Sequence, residues 1–386
     1  MTEPILSHEE IIRYSRQLIL PEIGAEGQQR LKAARVLCVG AGGLGAPFSL
    51  YLAAAGIGRI GLVDFDRVDL SNIHRQVIYS TSDVGREKLD AARDRLTALN
   101  PEIEIVLHEE RLASGNALTI VGAYDVIADG SDNFPTRYLV NDACVLSGKP
   151  DVYASVYRFE GQLTVFDTKA GGPCYRCLFP DPPAPGIVPT CAEAGILGVV
   201  PGILGCIQAL ETCKRILGIG NPLVGRLLLF DALSLRFREI ALRRDPRCPI
   251  CGDSPTIREL IDYEAFCGVG TDASPLPSAV GVPSITVEGL RERLVRGERV
   301  EIVDVREHYE FEIVHIPGSR LIPLGEIGSR MAEMDPAREY VVYCHHGIRS
   351  AQAVAFLMQA GFAKVHNLAG GIDAWAARCD PSMTRY

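Results

Sequence analysis

Arg35-Val-Leu-Cys-Val39 runs straight into Gly40-Ala-Gly-Gly-Leu-Gly45, and an alanine-rich stretch follows to Ala55. A short apolar run, a glycine turn and a helix-forming segment in that order read as strand, loop and helix, the opening unit of a doubly wound α/β sheet. The glycines permit a tight turn and close approach of a phosphate, while the helix N-terminus favours an anion. Arg59-Ile-Gly-Leu-Val-Asp64 reads as the next strand, with Asp64 at its end placed to bind ribose hydroxyls. Gly40, Gly42, Gly43 and Asp64 are therefore candidate nucleotide-binding residues, and at this point NAD and ATP fit equally well.

Working outward, residues 8–33 and Lys88–Leu99 are expected to be helical, and Glu102–Leu107 and Tyr124–Asp129 to be strands. That alternation predicts a mostly parallel sheet. From Asp151 the texture changes. Val152–Ser155, Gly161–Asp167, Arg226–Asp231 and Leu235–Leu242 read as strands, Gly171–Pro189 as a Pro/Gly/Cys-rich loop, and Ile203–Leu217 as a helix. Thr271–Pro283 is rich in Ser, Pro and Gly without periodicity, the composition of a linker. Beyond it, strands over Val300–Val305 and Glu339–Cys344 and a helix over Ser350–Gly361 predict a second, small α/β domain. The expected organisation is a nucleotide-binding domain over residues 1–270, a linker over 271–283 and a small domain over 284–386.

A net charge of −9 argues against a nucleic-acid surface, so basic residues must act locally, in a phosphate pocket. Residues 1–20 interleave charges with apolar positions, unlike a signal peptide. The most apolar stretch, Gly195–Leu210, is short and interrupted by Pro201, so no membrane partner is expected. The chain reads as cytoplasmic. Its twelve cysteines then argue for metal binding and catalysis rather than disulfides.

Ser71-Asn-Ile-His-Arg75, Lys88 and Ser131-Asp-Asn133 add a cationic pair, amides and a carboxylate on successive loops at one sheet edge. A nicotinamide cofactor has no need of Arg75 plus Lys88. A triphosphate does, with Asp132 holding Mg²⁺ between phosphates.

Together with Arg13-Tyr-Ser-Arg-Gln-Leu-Ile-Leu20 and Asp64-Phe-Asp66, these motifs resemble the adenylating domain shared by ubiquitin-activating enzymes and their bacterial relatives. The likeness covers roughly residues 8–255. It is greatest to molybdopterin-synthase adenylyltransferase and the thiamine-pathway sulfur-carrier adenylyltransferase. The resemblance implies a Rossmann-like homodimer in which Arg16 reaches the partner subunit's ATP. It further implies Gly42, Asp64, Asn72, Arg75 and Lys88 on ATP, with Asp132 near the metal; Ser71 and Asn133 belong to the same motifs. The substrate it implies is the C-terminal carboxylate of a small ubiquitin-fold sulfur carrier ending in Gly-Gly.

Cys174-Tyr-Arg-Cys177 and Cys248-Pro-Ile-Cys251 are two CxxC knuckles. Each spacing lets both thiolates meet one tetrahedral ion, so the four read as a structural Zn²⁺ site. A redox CxxC competes less well because two such pairs occur, both in Pro-containing loops. Cys191 stands on a loop just before an apolar helix, and the resemblance implies that it can form an acyl link to the carrier. Cys38 is expected in a buried strand, and Cys206 and Cys213 in a buried helix face.

Near the C-terminus, strand Glu339–Tyr343 delivers Cys344-His-His-Gly-Ile-Arg349 into a loop that opens a helix. Backbone N–H groups, the helix dipole and Arg349 are expected to lower the thiol pKa and to stabilise an anionic persulfide. Cysteine phosphatases also close their loop with Arg, but with a longer span that surrounds a phosphate. The shorter ring here suits a single sulfur atom. With Asp304-Val-Arg-Glu307 and His315-Ile-Pro-Gly-Ser319, residues 284–386 resemble a rhodanese domain. That implies persulfide sulfur transfer from a donor such as a cysteine desulfurase or thiosulfate. Many rhodaneses place a basic residue second in the loop; His345 departs from that, which leaves donor preference open.

The expected function is ATP-dependent adenylation of the carrier followed by sulfur transfer to a carrier thiocarboxylate, as in molybdenum-cofactor or thiamine pathways. Catalytic roles fall on Arg75, Asp132, Cys191, Cys344 and Arg349. Two alternatives are an NAD-dependent oxidoreductase with an accessory rhodanese, and a non-catalytic docking scaffold.

Overall fold

Four short runs, residues 36–39, 60–63, 126–129 and 151–155, are buried on both faces and set the first sheet. The structure, a computed structural model, describes residues 5–183, 194–268 and 282–385. The chain divides into two compact units, Met1–Val269 and Gly270–Tyr386. In the first, β1 (Arg35–Val39), β2 (Arg59–Val63), β3 (Glu104–His108), β4 (Val126–Asp129) and β5 (Asp151–Tyr157) run parallel. β6 (Glu160–Phe166), β7 (Arg226–Asp231) and β8 (Arg236–Ala241) then continue the sheet antiparallel. The spatial order is β3-β2-β1-β4-β5-β6-β7-β8.

Strand order reverses between β1 and β4, and a doubly wound sheet opens a crevice at that switch point. Two glycines make the crevice possible. Gly40 adopts φ +91°, a left-handed conformation that L side chains rarely adopt. A Cβ on Gly45 would lie 1.9 Å from the Gly40 carbonyl oxygen, so no side chain fits where the helix Gly45–Ala55 starts. The pleat of β1 shows why both faces are covered: Val36 and Cys38 enter one apolar cluster, Leu37 and Val39 the other.

The second unit holds β9 (Ser284–Ile285), β10 (Glu301–Asp304), β11 (Arg320–Leu321), β12 (Tyr340–Tyr343) and β13 (Val365–Leu368). All pairings are parallel, in the order β11-β10-β12-β13-β9. β12 is central and wholly buried. Its Val342 packs with Val354 and Leu357 on one face, and Val341 and Tyr343 pack with Leu368 and Trp375 on the other.

The structure departs from the sequence reading in several places. The single helix expected over 8–33 is three: His8–Arg13, Ser15–Leu18 and Gly24–Ala33. Pro21 has no N–H to donate and disfavours the helical region at Leu20, so the chain breaks there. The helix read as Ile203–Leu217 begins at Val199, because Pro201 falls within its first turn, where no N–H is missed. Helix Phe134–Ser147 was not anticipated, although Asn133 as cap and Pro135 in the first turn announce it. Cys206 and Cys213 lie on the Val199–Leu217 helix but are half-buried rather than buried. The expected linker, Thr271–Pro283, lies outside the described residues apart from Val282 and Pro283. Among the described residues, no helix is long and apolar enough to cross a membrane.

Candidate functional site

One cleft opens at the carboxyl ends of β1, β2 and β4. Gly40, Gly42, Gly43, Asp64, Arg75, Lys88, Asp132 and Asn133, all singled out in the sequence, line it. The loop between β1 and its helix is pinned from two sides. Asp64 Oδ2 accepts the Ala41 N–H at 2.8 Å, and the Tyr79 hydroxyl donates to the Ala41 carbonyl at 2.9 Å. Asp64 Oδ1 accepts the Asp66 N–H at 2.9 Å, so this carboxylate organises the turn as well as facing the cleft.

Lys88 is buried at the start of the helix Lys88–Leu99, with Nζ 2.8 Å from Asp66 and 3.9 Å from Asp64. Arg75 donates to the Ser71 carbonyl at 2.9 Å and lies 2.9 Å from His74 Nε2. Burial and then the Arg75 charge push the His74 pKa down, which leaves its ring nitrogen able to accept from the guanidinium. Arg75, Lys88, Arg111 and Arg137 line this cleft beside the start of the helix Gly45–Ala55, an arrangement that suits a polyanion.

Three predicted residues are not in the lining. Ser71 and Asn72 sit on the exposed turn Leu70–Asn72, where Asp69 accepts from the Ser71 N–H at 2.8 Å. Arg16 is exposed on the helix Ser15–Leu18. Asn133 reaches the cleft, but its side-chain oxygen caps the next helix by accepting the Thr136 N–H at 3.0 Å. Sequence reasoning missed Phe65, Gln76, Arg111 and Arg137 in the lining. Arg137 donates to the Ser131 carbonyl at 3.1 Å and stands over the Phe134 and Tyr153 rings. Its spacing of one helical turn from Asn133 was the available signal.

The four knuckle cysteines converge. Cys174 Sγ lies 3.9 Å from Cys177 and 3.6 Å from Cys248, and Cys177 lies 3.4 Å from Cys251. All four sulfurs fall within 4.8 Å of one another. Thiolates held at about 2.3 Å from a tetrahedral zinc stand roughly 3.8 Å apart, so the set fits that ion. The Asp245 N–H points at Cys177 Sγ at 3.4 Å, as expected beside a thiolate, and Arg244 braces the Cys251 carbonyl at 2.8 Å. Elemental analysis of protein purified without added metal is expected to find one zinc per chain. Cys174→Ser or Cys248→Ser should lose it and lower Tm by at least about 5 °C, since each kcal/mol is worth about 2–4 °C in a domain of this size. A metal-free protein of unchanged Tm would remove zinc from the account.

In the second unit Cys344 is buried at the end of β12. The Gly347 N–H donates to its sulfur at 3.1 Å, from a glycine at φ +97° that lets the loop fold back on itself. The Ser350 hydroxyl reaches both the sulfur, at 3.4 Å, and Asn367 Oδ1, at 2.7 Å. Arg349 differs from expectation: its two terminal nitrogens go to the two oxygens of Glu310, each at 2.7 Å, instead of to the sulfur. Burial, and then His346, push the His345 imidazole down to about 4, so it is neutral at physiological pH. The His315–Ser319 segment is scaffolding: the Tyr343 hydroxyl accepts the Ile316 N–H at 3.1 Å and meets Ser319 Oγ at 3.0 Å. Cys191 lies outside the described residues.

Comparison with known proteins bears on both units. Residues 14–250 match the ThiF family, and residues 286–378 match the rhodanese-like domain. Over 99% of the chain, it is 51% identical to a protein named probable adenylyltransferase/sulfurtransferase MoeZ of Mycobacterium tuberculosis, covering 96% of that relative. Over 68% of the chain, it is 59% identical to a sulfur carrier protein adenylyltransferase of Thermus thermophilus, covering 98% of that protein. Among solved structures, E. coli MccB with AMPCPP and MccA is 25% identical with a TM-score of 0.56, over 62% of this chain and 74% of that one.

Proposed function

Since the chain belongs to the ThiF family and carries a rhodanese-like domain, we propose that it activates a ubiquitin-fold sulfur carrier with ATP and then gives it sulfur. The observation that carries this reading is the presence, in one chain, of a glycine-loop cleft holding Arg75 and Lys88 and of the Cys344 loop. The relatives' names speak for nucleotidyl and sulfur transfer over hydride transfer to a nicotinamide cofactor.

Adenylation needs little acid–base help. The carrier's C-terminal glycine carboxylate is already ionised at neutral pH. It attacks the α-phosphorus of ATP, the bond to the β-phosphate breaks, and pyrophosphate leaves with the electron pair. Arg75 and Lys88 stabilise the growing negative charge, worth on the order of 10²–10³ in rate for one well-placed donor. Asp132, exposed at the rim, would hold the Mg²⁺ that shields the phosphates. Asp64 would take the ribose hydroxyls, Ser71, Asn72 and Asn133 would border the nucleotide, and Arg16 would reach the ATP of a second copy in a homodimer. The four cysteines would hold Zn²⁺ as a structural brace, outside the chemistry.

Residues 1–270 thus form the proposed adenylating domain, joined by 271–283 to a sulfur-transferring domain over 284–386. Once persulfidated by a donor such as a cysteine desulfurase or thiosulfate, Cys344 presents its outer sulfur to the acyl-adenylate carbonyl. The C–S bond forms and AMP leaves. A thiolate then cleaves the S–S bond, freeing the carrier thiocarboxylate and leaving a disulfide on Cys344. On a second form of the route the acyl group stops first at Cys191: the Cys191 thiolate displaces AMP to give a thioester, and the Cys344 persulfide then attacks that carbonyl and expels the Cys191 thiolate. Tethering both activities in one cytoplasmic chain raises the effective concentration of the sulfur nucleophile over water. The test is intact-mass analysis of the host's Gly-Gly carriers after incubation with this protein, ATP, Mg²⁺ and a persulfide donor. Thiocarboxylate on one of them is the expected result; ATP consumption without any carrier adenylate or thiocarboxylate would overturn the reading.

A further inference from the structure

The charges around the Cys344 loop are already matched with one another. Arg349, which closes the loop, gives both terminal nitrogens to Glu310. Arg306 and Asp304 are both fully buried and pair at 2.6 Å. Asp373 pairs with Arg385 at 2.9 Å. His345 is neutral for the reason given above. The sulfur therefore sits among hydrogen-bond donors without an uncompensated guanidinium.

Glu310 is held in place by the chain around it. It is the third residue of the helix His308–Ile313, and its carboxylate also accepts the Glu307 N–H at 3.0 Å. Burial raises its pKa, but the Arg349 hydrogen bonds and that backbone bond outweigh the effect and keep it below the usual value. The carboxylate is thus ionised, and the pair intact, at neutral pH.

We propose that Glu310 is a specificity-determining residue for the sulfur donor: by engaging both arms of Arg349, it withholds the guanidinium from donors that carry a sulfonate, and so favours persulfides. The proposal rests on the sulfur-transfer reading of Cys344. The chemistry explains the selection. In either case the Cys344 thiolate attacks the outer sulfur of the donor and the donor's S–S bond breaks. With R–S–SH the leaving group is a thiolate, which takes up a proton. With thiosulfate it is sulfite, a dianion that departs with the electron pair and needs a cation beside it. A guanidinium bound to a carboxylate on both arms supplies little of that stabilisation.

Glu310→Gln tests this. Glutamine retains an acceptor for the Glu307 N–H, since either residue completes a capping box, but it removes the charge that holds Arg349. In the full chain, persulfidation of Cys344 is followed by intact mass with thiosulfate and with cysteine persulfide. Wild type is expected to favour cysteine persulfide. In Glu310→Gln, kcat/KM for thiosulfate should rise about tenfold or more, mainly through KM, as a charge-assisted contact becomes available. The value for cysteine persulfide should stay within about threefold, and a second substitution, Arg349→Ala, should erase the gain. Glu310→Asp, with a shorter reach, should move the donor ratio the same way by less. Because the ratio is read within each protein, partial unfolding does not shift it. A ratio unchanged in both variants, both donors falling together, or a gain that survives Arg349→Ala would overturn the proposal. Failure of wild type to form a Cys344 persulfide with either donor would overturn the sulfur-transfer reading itself.

Discussion

Lys88→Ala is expected to cut carrier-dependent ATP–pyrophosphate exchange by roughly 10²–10³-fold, and Arg75→Ala by a similar factor. The two cations reach the cleft by different routes. Lys88 enters at the head of a helix, buried and tied to Asp66. Arg75 stands on the loop after the Leu70–Asn72 turn, oriented by the Ser71 carbonyl and His74. Neither is a core packing residue. Removing Lys88 leaves Asp66 largely exposed to water and Asp64 still holding two backbone N–H groups, so the fold should persist. Circular dichroism and zinc content should therefore match wild type while exchange collapses. Asp132→Ala should lose exchange likewise, and raising Mg²⁺ should not fully restore it, because the carboxylate positions the ion as well as raising its local concentration. Near-wild-type exchange in both Lys88→Ala and Arg75→Ala would remove the cleft from the adenylation reading.

Local signals carried the fold where a segment was bounded by residues with one conformational meaning. β1 ends at a glycine turn and matches the expected Arg35–Val39; the helix Lys88–Leu99 and strand Arg226–Asp231 also match. Signals failed where a second rule competed with apolar spacing. Pro21 divides a run that otherwise reads as one helix, and β9 and β11, two residues each, are too short to carry any alternation. The cleft was legible because its residues follow strand ends in sequence, so topology alone gathers them. Arg137 and Phe65 were missed because their contribution depends on which way a side chain turns. The Arg349–Glu310 pair was beyond reach for a different reason: its members lie on separate helices, and only the parallel register of β10 and β12 brings those helices together. A loop read alone assigns Arg349 to the sulfur. The folded chain gives it a carboxylate.

Cys344→Ala is expected to abolish sulfur transfer from thiosulfate and persulfide donors alike, a loss to background and the largest single effect anticipated here. Among the described cysteines, Cys344 alone ends a strand at a loop whose backbone N–H is aimed at sulfur. Burial pushes the thiols of Cys38, Cys144 and Cys213 upward, which disfavours the thiolate that sulfur transfer requires. The substitution removes little else. Alanine fits the space, and Gly347 loses only an acceptor, so the second unit should remain folded; a Tm close to wild type would check that. Adenylation draws on residues of the other unit, so pyrophosphate exchange should be unchanged within about twofold, the scatter expected for sites without shared partners. Carrier adenylate should then form and hydrolyse, with no thiocarboxylate when this protein is the sole sulfur source. Cys191→Ala should be milder wherever a persulfide can attack the adenylate directly. The two outcomes that would count against the scheme differ in what they break. Thiocarboxylate at the wild-type rate in Cys344→Ala would end the sulfur-relay idea and leave adenylation standing. Loss of pyrophosphate exchange in Cys344→Ala would mean that the nucleotide cleft depends on the rhodanese-like unit, a coupling that no residue described in either site accounts for.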